Sequence, residues 1–261
     1  MTENKMILTA HQPVYLPWLG LFHKIALADV FCFFEDVQYQ AKDWNNRNRI
    51  KFSNGKADWL SVPVLRKDFF KRSYMDIKVD NEYPWRRKHW RSIELNYCKA
   101  PYFEQYRDEL KAFYERDWEY LVDLNYQMLI LFMKWLKITT KVVRMRDYEF
   151  KGEKSDLVLD MCCQLGAKTY IFGEQGRDYA DVPAFYRKNV IPYFQSYQHP
   201  EYPQAHGGFV SCLSVLDLFF NCGDQSYSII MSGNISRSEL EGWAAGERRL
   251  LDKNIKSGGI V

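Results

Sequence analysis

The stretch Lys5-Met-Ile-Leu-Thr-Ala-His-Gln-Pro-Val-Tyr-Leu-Pro-Trp-Leu-Gly-Leu-Phe-His-Lys-Ile-Ala-Leu-Ala-Asp-Val-Phe-Cys-Phe-Phe34 decides how the chain reads. Residues 5–10 read as a short first strand, prolines at 13 and 17 punctuate the next segment, 17–28 reads as a helix, and 30–34 as a buried strand rich in aromatics. Strand, loop, helix, strand is the unit from which parallel sheets are built. The expected fold is therefore α/β, a mostly parallel sheet flanked by helices.

Working outward, 58–64 reads as a strand that Pro63 confines to an edge. Phe103, Tyr106, Leu110, Phe113 and Tyr114, and then Leu121, Leu124, Met128, Leu131, Phe132 and Trp135, recur at the helical period. They predict two packed helices over 102–117 and 119–136, with their aromatic stripes in the core. Alternation returns with a strand at 141–145, a helix at 156–165 capped by Ser155 and ended by Gly166, and a strand at 169–172. A helix at 182–188, a strand at 191–195 and helices at 212–221 and 237–252 follow, the last opened by the capping box Ser236-x-x-Glu239. Residues 1–261 read as one domain, with 97–137 a helical subregion and 236–261 a C-terminal helical tail.

At 261 residues, 47% hydrophobic and 26% charged, the chain is excluded from the disordered classes. A chain of this size buries roughly 73% of its extended surface and needs no staple. Its six cysteines form no Cys-x-x-Cys pair and read as free, mostly buried thiols. The opening residues lack a signal-peptide pattern, and 120–136 is interrupted by Asp123, Asn125, Gln127 and Lys134, so no membrane span and a cytoplasmic location are expected.

A net charge of +3 does not imply a polyanionic partner. The layout is uneven, however: residues 42–91 carry 14 Lys or Arg against six Asp or Glu. Arg47, Arg49 and Lys51 fall at period two, which on a strand puts three cations on one face. That face suits phosphate, or it is a solvated edge that resists aggregation. Trp85-Arg-Arg-Lys-His-Trp-Arg91 reads as a groove rim or a polar helix surface. No nucleic-acid-binding module accompanies these patches, so no nucleic-acid partner is expected.

Chemistry concentrates at the end of the first strand. His11 suits three roles, general base, phosphate donor, or cap of the sheet end, and Gln12 is an orienting amide. Tyr15 and Trp18 offer a stacking wall or belong to the core. Lys24, one turn beyond Gly20, suits a phosphate or faces solvent, and Gly20 permits close approach of backbone amides to the same charge. Glu35-Asp36 ends the second strand; one carboxylate faces a pocket there, and Asp36 is preferred, for Mg²⁺ or a sugar hydroxyl. Asn46, Arg47 and Arg49 follow closely, the guanidiniums able to grip phosphate bidentately. Arg177, Asp178 and Tyr179 lie in a glycine-bearing turn after the 169–172 strand. His199 is a second acid/base candidate. Asp217 and Asn221 share a helical face with Ser214 that closes a pocket or caps backbone.

His11-Gln-Pro-x-Tyr-x-Pro-Trp-x-Gly20, with Lys24 and Asp29-Val-Phe, resembles the opening signature of the WbqC-like protein family. Trp44-Asn-Asn-Arg-Asn-Arg-Ile50, Gly173-x-x-Gly-Arg-Asp-Tyr179, His199-Pro-x-Tyr-Pro-Gln204 and Leu213-Ser-x-x-Asp217 extend the similarity over nearly the whole chain. The resemblance implies work on an activated sugar of lipopolysaccharide O-antigen or a related surface polysaccharide. The opening also looks like nucleotidyl-transferring enzymes of the HIGH type, but His11-Gln-Pro replaces their His-x-Gly-His.

The leading expectation is a transferase acting on a nucleotide-linked amino sugar, by acyl or aminoacyl transfer from a donor such as a coenzyme A thioester. Arg47, Arg49 and Arg177 hold the diphosphate, Tyr15 and Trp18 form the platform, and His11 takes the amine proton. The alternatives are an ATP- and Mg²⁺-dependent nucleotidyltransferase or ligase, with Asp36 near the metal, and a non-enzymatic sugar-binding protein. A homodimer is compatible with the aromatic surplus.

Overall fold

The computed structural model describes residues 5–41, 43–65 and 72–256. Part of the basic stretch (Lys42, Arg66, Lys67 and Lys71) and the last five residues of the expected tail lie outside them. In chain order come β1 (Ile7–His11), α1 (Leu19–Leu27), β2 (Val30–Phe33), β3 (Arg47–Lys51) and β4 (Ala57–Ser61). Three helices follow, α2 (Trp85–Tyr97), α3 (Phe103–Glu115) and α4 (Leu121–Trp135), and then β5 (Lys141–Arg144), α5 (Lys154–Leu165), β6 (Thr169–Phe172), α6 (Val182–Arg187) and β7 (Ile191–Phe194). The last elements are α7 (Val215–Cys222), α8 (Ser226–Met231) and α9 (Arg237–Lys256).

Five strands form one parallel sheet in the order β5, β2, β1, β6, β7, while β3 and β4 pair as a separate antiparallel ribbon. The α/β expectation holds. Side chains alternate across the sheet as strand geometry requires. Leu8, Ala10, Val30, Cys32, Tyr170 and Phe172 pack with α5 and α6 on one face. Phe31 and Phe33 enter the larger cluster on the other face, which also takes α1, α4 and α7. The aromatic stripes of α3 and α4 lie in that cluster, with the Tyr106 ring tilted against those of Trp135 and Phe219.

Several local expectations need correction. Glu153, not Ser155, stands at the N-cap of α5; Ser155 lies one residue inside the helix and its hydroxyl accepts the Asp181 N–H at 2.8 Å. Gly166 ends α5 in the left-handed region as expected, with φ of 75°. The capping box at α9 forms in both directions: the Ser236 N–H reaches the Glu239 carboxylate at 2.7 Å, and the Glu239 N–H reaches the Ser236 hydroxyl at 3.3 Å. Of the six cysteines, all free, Cys32, Cys162 and Cys222 are buried, and Cys98, Cys163 and Cys212 are exposed. No helix among the described residues is long and apolar enough to cross a membrane.

Candidate functional site

β1 and β6 are adjacent, but the chain leaves them in opposite directions, through α1 to β2 on one side and onward to β7 on the other. Such a reversal opens a crevice at the carboxyl ends of the strands. A cavity of about 680 Å³ lies there, walled by the end of β1, α1 and the turn after β6.

The loop from His11 to Trp18 is held from several directions. The Tyr15 N–H donates to the Trp44 carbonyl at 3.2 Å, the Asn48 amide donates to the Leu16 carbonyl, and Trp18 bridges to Ser214. Leu16 sits in the left-handed region, with φ of 48°. The two prolines lower the entropy lost in fixing this path.

His11 borders the cavity, half-buried, with its ring edge-on to Trp18 at 5.2 Å. Its Nδ1 lies 2.8 Å from the Gln12 carbonyl, which can only accept, so Nδ1 carries the proton and Nε2 keeps the lone pair. Burial is the main force lowering its pKa to about 3, and the Lys24 charge adds to it against the pull of the Gln12 carbonyl. The imidazole is neutral at pH 7.

Lys24 also borders the cavity and is only 3% exposed. The reason lies in α1, whose apolar residues Leu19, Leu21, Phe22, Ile25 and Leu27 are buried around its circumference, so that every residue of the helix but Ala26 is buried. Its Nζ donates to the Ala10 carbonyl at 3.0 Å, and no carboxylate pairs with it among the described residues. Burial lowers its pKa to about 7. The solvent-facing alternative for Lys24 is thus excluded. Gly20 lines the cavity too, and a Cβ there would meet the Tyr197 ring at 2.9 Å, so its small size also admits the close approach of that ring.

His199 lines the same cavity, with both nitrogens engaged. Nδ1 donates to the Pro200 carbonyl at 2.9 Å, and Nε2 accepts the Cys212 N–H at 3.2 Å. Burial lowers its pKa, against the Pro200 carbonyl. His23 is similarly occupied, with Nε2 on the Ile235 carbonyl and Nδ1 accepting from Gln195.

Gln12, Trp18 and Tyr179 complete the set of expected site residues on the cavity wall. The others lie elsewhere. Tyr15 is core, its hydroxyl bonded with His89 and Tyr114 at 2.7 and 2.6 Å. Asp36 is exposed and accepts from Ser73, whereas Glu35 is fully buried and held bidentately by Arg144 and Arg146. Burial alone would raise the Glu35 pKa, but the hydrogen bonds and charges of Arg146 and Arg144 outweigh it and hold it low. With these commitments the pair offers Mg²⁺ no ready site. Asn46 donates to the Val62 carbonyl. Arg177 lies over the Phe194 ring at 4.8 Å, and neither it nor Asp178 borders the cavity.

Asp217 and Asn221 are buried and structural. The Tyr97 hydroxyl donates to Asp217 at 2.8 Å, and Asn221 bonds the Asp217 carbonyl and the Ala205 N–H. The backbone-capping alternative for that helical face is the one realised. Arg47 and Arg49 stand outside the cavity wall on β3, beside Trp59, with Arg49 Nη2 reaching the Cys212 carbonyl at 3.3 Å. Lysine 51, the third of the series, is buried under the 207–208 carbonyls. Among the described residues Lys24 is therefore the cation, other than histidine, that borders the cavity.

Sequence reasoning missed Trp44, Gln195 and Tyr197 on the wall. The available signal was the run of tryptophans near the basic stretch, which gains meaning only once β3 and β4 pair.

A protein of Mycobacterium tuberculosis named "Uncharacterized protein Rv1507c" is 35% identical over 217 residues, which cover 82% of this chain and 93% of that one. No solved structure matches. The sequence profile of the WbqC-like protein family matches residues 12–229, taking in the cavity from Gln12 to Cys212. The chain belongs to the WbqC-like protein family.

Proposed function

We propose that the cavity is the active site of a transferase acting on a nucleotide-linked amino sugar in surface-polysaccharide assembly, by acyl or aminoacyl transfer to the sugar amine. The observation that carries the reading is the meeting, at one switch-point cavity, of a neutral His11 and a buried Lys24 that no carboxylate pairs with among the described residues, the carboxylates on the wall being the exposed Asp43 and Glu174. A buried ammonium lacking a counter-charge is costly, and an anionic ligand or a developing oxyanion supplies that charge.

The sugar amine attacks the carbonyl carbon of the donor, forming the C–N bond. His11 Nε2 takes the proton released from nitrogen, and the donor's leaving group, a thiolate for a thioester, departs with its bonding electrons and receives a proton. Gln12 orients the carbonyl. Lys24 stabilises negative charge on the carbonyl oxygen or the substrate phosphate. An anion beside Lys24 also offsets the field that lowers the His11 pKa, so substrate binding strengthens the base.

The test is turnover of a panel of UDP-, dTDP- and GDP-linked amino sugars with acetyl coenzyme A, read by mass spectrometry. His11→Ala is expected to lower kcat by about 100-fold or more with an unchanged melting temperature. Turnover that survives His11→Ala overturns the reading. Absence of product from every pair, with glycan binding equal in wild type and variant, favours a sugar-binding protein instead.

A further inference from the structure

The cavity wall continues past its mouth. Trp18 lies beside His11, Trp44 is 6.1 Å from Trp18, and Trp59 is 5.3 Å beyond Trp44. Trp59 belongs to β4 and keeps 41% of its surface exposed. In the ribbon register it stands directly opposite Arg49, with Arg47 two residues away on the same face. The Arg47 guanidinium carbon lies 4.4 Å from the indole centroid, and that of Arg49 lies 5.8 Å from it.

Two guanidiniums thus lie around one indole, a cation–π arrangement that restricts where Arg49 presents its donors to an anion. Arg49 is under-used by the protein: its Nε is buried without a partner, its Nη2 makes one long bond to the Cys212 carbonyl, and no carboxylate pairs with it among the described residues. Cys212 also borders the cavity and donates its N–H to His199, so Arg49 adjoins the cavity rim. A solvated, aggregation-resistant edge accounts for the charges, but not for a row of indoles leading from them to His11.

We infer that Arg47, Arg49 and Trp59 form an outer subsite that grips the phosphates of a nucleoside diphosphate, whose sugar end reaches inward along Trp44 and Trp18 to His11. The direction of the sugar rests on the proposed transferase reading; the phosphate grip does not. The arrangement divides recognition between two cationic regions, with the diphosphate outside and the reacting group beside Lys24. Recognition through guanidiniums and a stacking face is tolerant of the base.

The test is calorimetric binding of UDP and GDP to wild type, Trp59→Ala and Arg49→Gln. The expected result is at least a tenfold weakening in each variant, with inorganic phosphate binding unaffected by Trp59→Ala. Without any substitution, saturating UDP is expected to slow phenylglyoxal modification of Arg47 and Arg49, read by peptide mass spectrometry. The inference is overturned if both variants bind within twofold of wild type, if neither nucleotide binds the wild type at millimolar concentration, or if UDP gives no protection. Nucleotide binding that depends on Trp59 and Arg49 without transferase turnover leaves the subsite standing and removes the reaction. Full kcat/KM in both variants does the reverse.

Discussion

Replacing Lys24 by Met tests the central electrostatic feature through stability alone. The ammonium has been taken from water into the interior with one carbonyl as partner, and its pKa falls from 10.5 to about 7. Between those values the unfolded chain holds a proton that the folded chain does not, so this residue makes stability rise with pH across the window. At 1.36 kcal/mol per unit, the folding penalty is about 4 kcal/mol at pH 7 and about 1.5 kcal/mol at pH 9.5. Methionine keeps the stem and removes the charge, but leaves the Ala10 carbonyl without its donor, at about 1–2 kcal/mol.

The variant should therefore be more stable than wild type by about 2–3 kcal/mol at pH 7, with that advantage gone near pH 9.5. Urea unfolding followed by tryptophan fluorescence at pH 6, 7, 8.5 and 9.5 measures it, and titrations common to both proteins cancel in the difference. Parallel stability curves, or a variant weaker than wild type at pH 7, would refute the reasoning. The same variant should lose inorganic phosphate binding, because the ligand is what compensates the buried cation.

Gly20→Ala places a methyl carbon 2.9 Å from a ring atom of Tyr197, whose hydroxyl is tethered to the Ile230 carbonyl at 3.1 Å. Overpacking of about 1–3 kcal/mol outweighs the helix-propensity gain of about 1 kcal/mol, so a small drop in melting temperature and weaker nucleotide binding are expected; a stabilised variant would contradict the contact. Glu35→Ala leaves the two guanidiniums with the longer contacts to Asp123, at 3.6 and 3.8 Å, and the weaker field of Asp147, and should cost about 3 kcal/mol at pH 7. Because the folded-state pKa of Glu35 is depressed, its contribution is present above the unfolded carboxylate value and is lost as pH falls through the folded one. Chemical denaturation should find the gap to wild type narrowing in acid; a gap that is constant with pH contradicts the ion-pair account.

The parallel sheet was legible because apolar strands and helices alternate with loops of fixed chemistry around it, and because capping residues such as Ser236 and Glu239 act locally. α2 was harder to read. Its buried side includes His89 and Asn96 beside Trp85, Ile93 and Tyr97, so the apolar stripe is broken by polar groups that find partners only in three dimensions. Lys24 shows the same limit from the other side. Its type suggests a surface, whereas the leucines, Phe22 and Ile25 that surround it on α1 already argue for burial. At the site, the His11 loop could be read from its own residues. The distance of Arg47, Arg49 and Arg177 from the cavity wall could not, because period two fixes a shared face without saying what that face adjoins. Glu35 and Asp36 divide between interior and surface just beyond the end of β2, and the arginines that select Glu35 for the interior come from β5 and the turn after it, more than 100 residues away.

The Thr9 hydroxyl donates to the Ile171 carbonyl, 162 residues further along, on the strand that completes one side of β1. On the ribosome, the first strand emerges with β2 available at once and β6 still untranslated. At ~5–20 residues per second that edge waits roughly 8–30 seconds for its partner. During the delay its unpaired amides and apolar side chains are open to mispairing between nascent chains, until β6 covers them.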